Sequence, residues 1–138
     1  MFKKYHYLDH KLHNAAQQFV GVINGELVAH TGIIQFPMRK GWKRVHRLVV
    51  LPDYQGIGIG TEFIDEVSEI YKNEGFKMNL TTTTPALIHA LKRSQKWSLF
   101  RASRMRKSIN EFSRYANRGK TVTKSPSQNR ITFSFNYK

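Results

Sequence analysis

The sequence predicts a mixed α/β (α+β) domain, a central sheet with flanking helices. Three observations carry that expectation: an Asn-Gly pair between two apolar runs, an apolar run that passes through three spaced glycines into an amphipathic segment, and a strictly alternating run near the C-terminal end. Strand-like and helix-like periods follow one another along 138 residues, which reads as one domain, 1–138, with a real hydrophobic core.

The elements follow in order. Tyr7 to Gln17 reads as a short helix, with Asp9 as N-cap and Leu8, Leu12, Ala15 and Ala16 on one side. Phe19–Ile23 and Leu27–Phe36 read as strands joined by Asn24-Gly25, the strongest short hairpin signal a sequence offers. Trp42–Leu51 is the next strand. Its period of two puts His46, Leu48 and Val50 on one face and Val45, Arg47 and Val49 on the other. Pro52 stops the ladder, the glycines follow, and a helix from Ile59 to Glu74 carries Phe63, Ile64, Val67, Ile70 and Tyr71 at helical spacing. Glu62, Asp65, Glu66 and Glu69 line its polar side, and Gly75 is its C-cap. Phe76–Thr84 is strand-like, and Pro85 opens a helix from Ala86 to Lys96 with Leu87, Ile88 and Leu91 apolar. Trp97–Ala102 is a short strand. Residues 103–129 form a basic insertion, in which Met105, Ile109, Phe112 and Ala116 mark one side of a helix. In the last strand Ile131, Phe133, Phe135 and Tyr137 alternate with Thr132, Ser134 and Asn136; the aromatic stripe reads as core.

Composition narrows the chemistry. There is no cysteine, which excludes disulfides, thiolate metal sites and a cysteine nucleophile. The longest apolar run, Leu48–Leu51, is far too short to span a bilayer, and the first residues lack the apolar stretch of a secretory signal, so the expected location is cytoplasmic. The net charge of +14 is one-sided: residues 77–138 hold 14 Lys/Arg against Glu111 alone, a net of +13. Such a field attracts polyanions, so a nucleic-acid partner stands beside a solvated basic surface as a reading. His6, His10 and His13 fall at helical spacing with no acidic or cysteine partner, and read as exposed histidines with no metal site.

The most informative stretch is 50–60, Val-Leu-Pro-Asp-Tyr-Gln-Gly-Ile-Gly-Ile-Gly. Gly56, Gly58 and Gly60 put bare backbone N–H groups where a helix begins, an arrangement that suits a phosphate. Phe63 breaks a dinucleotide-binding G-x-G-x-x-G, and Thr61 stands where a P-loop needs lysine.

Gln55, Gly58 and Gly60, led in by Leu48-Val49-Val50-Leu51-Pro52-Asp53-Tyr54, resemble the Arg/Gln-x-x-Gly-x-Gly/Ala pattern of the GCN5-related N-acetyltransferase (GNAT) family. The resemblance covers residues 18–97, and the last strand fits as the closing one. It implies an acyltransferase that passes an acetyl group from acetyl-CoA to an amine by direct transfer, with both substrates bound and no metal. The loop, Gln55, Gly56, Ile57, Gly58, Ile59, Gly60 and Thr61, would hold the pyrophosphate. Backbone groups of Leu48, Val49 and Val50 would align the pantetheine arm and polarise the thioester.

Three departures from the pattern matter. The family's usual strand glutamate is missing, and His46, with an ordinary pKa near neutrality, is the candidate base. The helix after Pro85 has no tyrosine to meet the departing thiolate; Lys92 falls on that position by spacing, and Ser94 could reach a similar place and donate a hydrogen bond. Only one short helix fits before Phe19, where the family has a strand and two helices; either the acceptor side is open or the chain is a fragment. The alternative function, from another class, is a nucleic-acid-binding or nucleic-acid-modifying protein on the same scaffold.

Overall fold

The computed structural model describes residues 14–37, 39–104 and 131–138. In chain order they form β1 (Gln17–Ile23), β2 (Glu26–Gln35), β3 (Trp42–Val50), α1 (Ile59–Asn73), β4 (Lys77–Thr82), α2 (Pro85–Arg93), β5 (Trp97–Arg104) and β6 (Ile131–Tyr137). The strands build one six-stranded sheet in the order β1-β2-β3-β4-β6-β5. Strands β3 and β4, joined through α1, run parallel, and the other described pairs are antiparallel.

Local chemistry accounts for the boundaries. Asn24 and Gly25 both take positive φ (50° and 82°), the conformation that folds β1 back on β2. Arg39 closes the next turn, its guanidinium lying 5.0 Å from the Trp42 ring centroid and 5.4 Å from that of Phe36. Helix α1 ends where Gly75 N–H donates to the Lys72 oxygen and Phe76 N–H to the Tyr71 oxygen, with the Phe76 ring edge-on to Tyr71. This closure turns the chain directly into β4.

Both helices pack on one face of the sheet. Ile64, Val67 and Tyr71 of α1 and Ile88 and Leu91 of α2 meet Ile33, Val45, Leu80 and Phe135 in a single core. Phe135 is fully buried, and Phe133 and Tyr137 lean on the same core, so the C-terminal aromatic stripe is packing. Tyr137 also donates to Glu69 at 2.9 Å; burial, reinforced by that carboxylate, pushes its phenol up to about 12.

Several expectations change. The end of the helix expected over 7–17 is strand: Gln17 begins β1, pairs with Ile33 and accepts a 2.7 Å hydrogen bond from the Tyr71 hydroxyl. Residues 7–13 of that helix, the three N-terminal histidines and most of the 103–129 insertion lie outside the described residues, while Ser103 and Arg104 belong to β5. Ile70 is half exposed, whereas Asp65, expected on the polar side, is buried against Trp97.

The alternation of β3 is interrupted as well. Gly32 pairs with Arg47 but Ile33 pairs with Val45, so His46 is an extra residue, a β-bulge. The bulge moves Val45 onto the face of Leu48 and Val50, toward the helices, and leaves Arg44, Arg47 and Val49 on the opposite face. Among the described residues, no helix is long and apolar enough to cross a membrane.

Candidate acyl-donor cleft

Strands β3 and β4 pair only from Trp42↔Lys77 to Val45↔Leu80, yet β3 runs on to Val50 and β4 to Thr82. They part at the bulge. The gap between them is a cleft of about 850 Å³ that runs from the glycine loop past β3 to α2.

Parting leaves backbone groups of β3 open on that side. Leu51 N–H donates to the Val28 oxygen at 2.9 Å. In an antiparallel ladder the residues that point at the partner alternate, so Val49 and Arg47 turn their N–H and C=O toward β2. Leu48 and Val50 turn theirs into the cleft. Gln55 Nε2 takes one of these, donating to the Val50 oxygen at 2.8 Å.

The loop follows immediately. Pro52–Tyr54 form a single 3-10 turn, and Gln55 N–H is held by the Pro52 oxygen at 3.2 Å. Gly56 and Gly58 then take φ of 81° and 92°, which a side chain resists, and Gly58 is the N-cap of α1. A Cβ at either would meet nothing within 4 Å, so both open onto free space. Thr61 and Glu62 N–H both turn back to the Gly58 oxygen. Among the described residues no backbone acceptor takes the amides from Gly56 to Gly60. No side chain caps α1, so its first amides and its positive dipole end face the cleft.

Gly60 has a separate role. A Cβ there would lie 3.0 Å from Val50 Cγ2, so the missing side chain lets α1 sit directly on β3. Ile57 is 71% exposed, and neither it nor Ile59 lines the cleft.

His46 stands at the junction, exposed and lining the cleft. The structure does not bring the other two candidates to it. Lys92 Nζ lies 4.8 Å over the Phe133 ring, and Ser94 Oγ accepts from the Lys96 amide. Helix α2 instead presents Ala86, His89, Ala90 and Arg93. Their i, i+3/i+4 spacing was the available signal, but the sequence does not say which stripe of a nine-residue helix turns inward. With Arg44, Arg47 and the threonines Thr81 to Thr84, the described lining is cationic and hydroxylic and contains no carboxylate.

The family model for the acetyltransferase (GNAT) family matches residues 2–94, about two thirds of the chain. The chain belongs to the GNAT family. The parted strands and the capless, glycine-led helix are thus placed in a GNAT scaffold. Solved structures agree on the fold. An IAA acetyltransferase from Bacillus cereus superposes with a TM-score of 0.61 at 16% identity, over 89% of this chain and 77% of that one. The ribosomal-protein-S18-alanine N-acetyltransferase of Escherichia coli gives 0.60 at 14%, over 91% and 70%. A GNAT acetyltransferase from Elizabethkingia anophelis with acetyl-CoA bound gives 0.61 at 10%, over 89% and 76%. No curated protein matches the sequence significantly.

Proposed function

We propose that this GNAT domain transfers the acetyl group of acetyl-CoA to an amine by direct attack within a ternary complex. The observation that carries the reading is the run of open amides from Gly56 to Gly60 at the uncapped start of α1, continuous with the open edge of β3. An acetyl-CoA-bound relative of the same fold supports it.

In this reading the amides of Gly56 to Gly60 hold the pyrophosphate, helped by the helix dipole. The amide groups of the pantetheine arm pair with the Leu48 C=O and the Val50 N–H, since Gln55 already occupies the Val50 oxygen. The arm runs back toward the bulge and delivers the thioester to the point where β3 and β4 separate. There the Leu48 N–H polarises the carbonyl oxygen and stabilises the oxyanion that forms on attack. The amine nitrogen bonds to the carbonyl carbon, the C–S bond breaks, and the amine proton passes to His46. His89 and Arg93 line the cleft from α2, and Arg93 favours the departing thiolate by charge. Lys92 and Ser94 have no part in this scheme.

A lysate-free assay tests it. Acetyl-CoA with a panel of amines releases coenzyme A thiol, and initial rates with both substrates varied give intersecting lines. Parallel lines would mean an acetyl-enzyme and would overturn direct transfer. No described feature favours the nucleic-acid alternative: Phe135 is sealed in the core, so the aromatic stripe offers no base-stacking platform.

A further inference from the structure

The lining of the cleft draws on both faces of the sheet. Val45, Leu48 and Leu80 wall it on the helix side, whereas Arg44, Arg47, Thr81 and Thr132 line it on the opposite face. The glycine loop and α2 frame the helix-side mouth, where the reading above seats acetyl-CoA. The opposite mouth is left for the acceptor.

That mouth has a definite chemistry. Arg44 and the buried Arg47 border it, and the described lining contains neither aspartate nor glutamate. Arg44 has no ion pair among the described residues; its guanidinium lies 5.7 Å from the Phe36 ring centroid, which steadies the side chain without neutralising it. Beside it, Asn79 is paired with Arg44 across β3–β4 and spends its amide on Ser134 and Asn136, at 2.9 and 2.8 Å. Thr81 and Ser134 continue this ladder at 3.1 Å. The floor next to Arg44 is therefore polar but uncharged.

A polycationic amine entering here meets like charge and finds no carboxylate to hold it. A planar carboxylate or a phosphate fits a guanidinium by paired hydrogen bonds. We infer that the acceptor is an amine bearing its own carboxylate or phosphate, which Arg44 seats so that the nitrogen reaches the thioester at the β3–β4 junction. The inference rests on the acetyl-CoA reading and deepens it.

Matched pairs of acceptors test the charge directly: an α-amino acid against its carboxamide, and an amino-sugar phosphate against the unphosphorylated amino sugar. The expected result is a preference in kcat/KM for one anionic member, on the order of tenfold to a hundredfold. The pair that shows it identifies the anion. In Arg44→Gln the preference disappears through a higher acceptor KM, with kcat largely kept. Arg44→Lys restores part of it. Equal use of both members, preference for the cationic ones, a preference that survives Arg44→Gln, or turnover of neither anionic probe overturns the inference. Calorimetry with acetyl-CoA on both proteins separates the two levels. Absent donor binding sinks the acetyl-CoA reading itself, whereas normal donor binding without charge preference sinks this inference alone.

Discussion

Gln55 Nε2 donates to the Val50 carbonyl oxygen at 2.8 Å, strapping the glycine loop to the last residue of β3. The two surfaces proposed to hold the donor, the loop amides and the open strand edge, are thereby fixed relative to one another. Replacing Gln55 by Leu removes the strap and leaves the Val50 oxygen free to water. The expected effect is a donor KM raised roughly fivefold to tenfold, the equivalent of about 1 kcal/mol, with the acceptor KM unchanged. Steady-state kinetics against acetyl-CoA check it.

His46 gives a kinetic prediction because the bulge holds it out from β3 at the cleft. As the base it must be neutral, so the rate falls on the acid side as the imidazole takes up a proton. His46→Gln is expected to lower kcat by about 10² or more and to remove that acid limb. A pH profile of kcat/KM with the limb intact in the variant would assign the base elsewhere.

Asp65 and Trp97 predict a stability effect away from the cleft. The buried indole N–H donates to Asp65 Oδ1 at 2.6 Å, while Lys96, 61% exposed, sits 3.4 Å from Oδ2. Asp65→Ala strands the indole donor and is expected to cost about 1–3 kcal/mol, roughly 5–10 °C in melting temperature. Lys96→Ala removes only an exposed ion pair and is expected to stay within about 0.5 kcal/mol. Thermal denaturation of the two variants separates these cases.

His30 sets an acid limit on stability. Burial in β2, with the Arg47 charge acting in the same direction, holds its pKa below the ordinary 6.5. Between 6.5 and that depressed value the unfolded chain binds a proton that the folded chain refuses, so stability declines as pH falls through this window. Melting temperatures are expected to drop as pH is lowered below 6.5, and less steeply in His30→Gln. Equal slopes would remove His30 from the account.

Local signals were the legible ones. Asn24-Gly25 announced its hairpin, the alternation of 131–137 its strand, and the spaced glycines an anion-ready helix start, because each depends on residues a few positions apart. The bulge at His46 was hidden: two polar residues, His46 and Arg47, separate Val45 from Leu48, but the register slip is visible only against Gly32 and Ile33. Asp65 read as a surface acid because its partner Trp97 is 32 residues away. On α2, Lys92 and Arg93 are adjacent in sequence, and only the packing of Ile88 and Leu91 into the core turned Arg93 rather than Lys92 to the cleft.

The main-chain nitrogens of the turn before α1 are proposed to grip the donor's pyrophosphate. Backbone amide resonances of Gly56, Gly58 and Gly60, followed while coenzyme A is titrated into the protein, test it most directly. Large, saturable shifts are expected at these three amides, and much smaller ones when acetyl-pantetheine, which lacks the pyrophosphate, replaces coenzyme A. Saturable binding that leaves the three resonances in place, or equal shifts with both ligands, would contradict it.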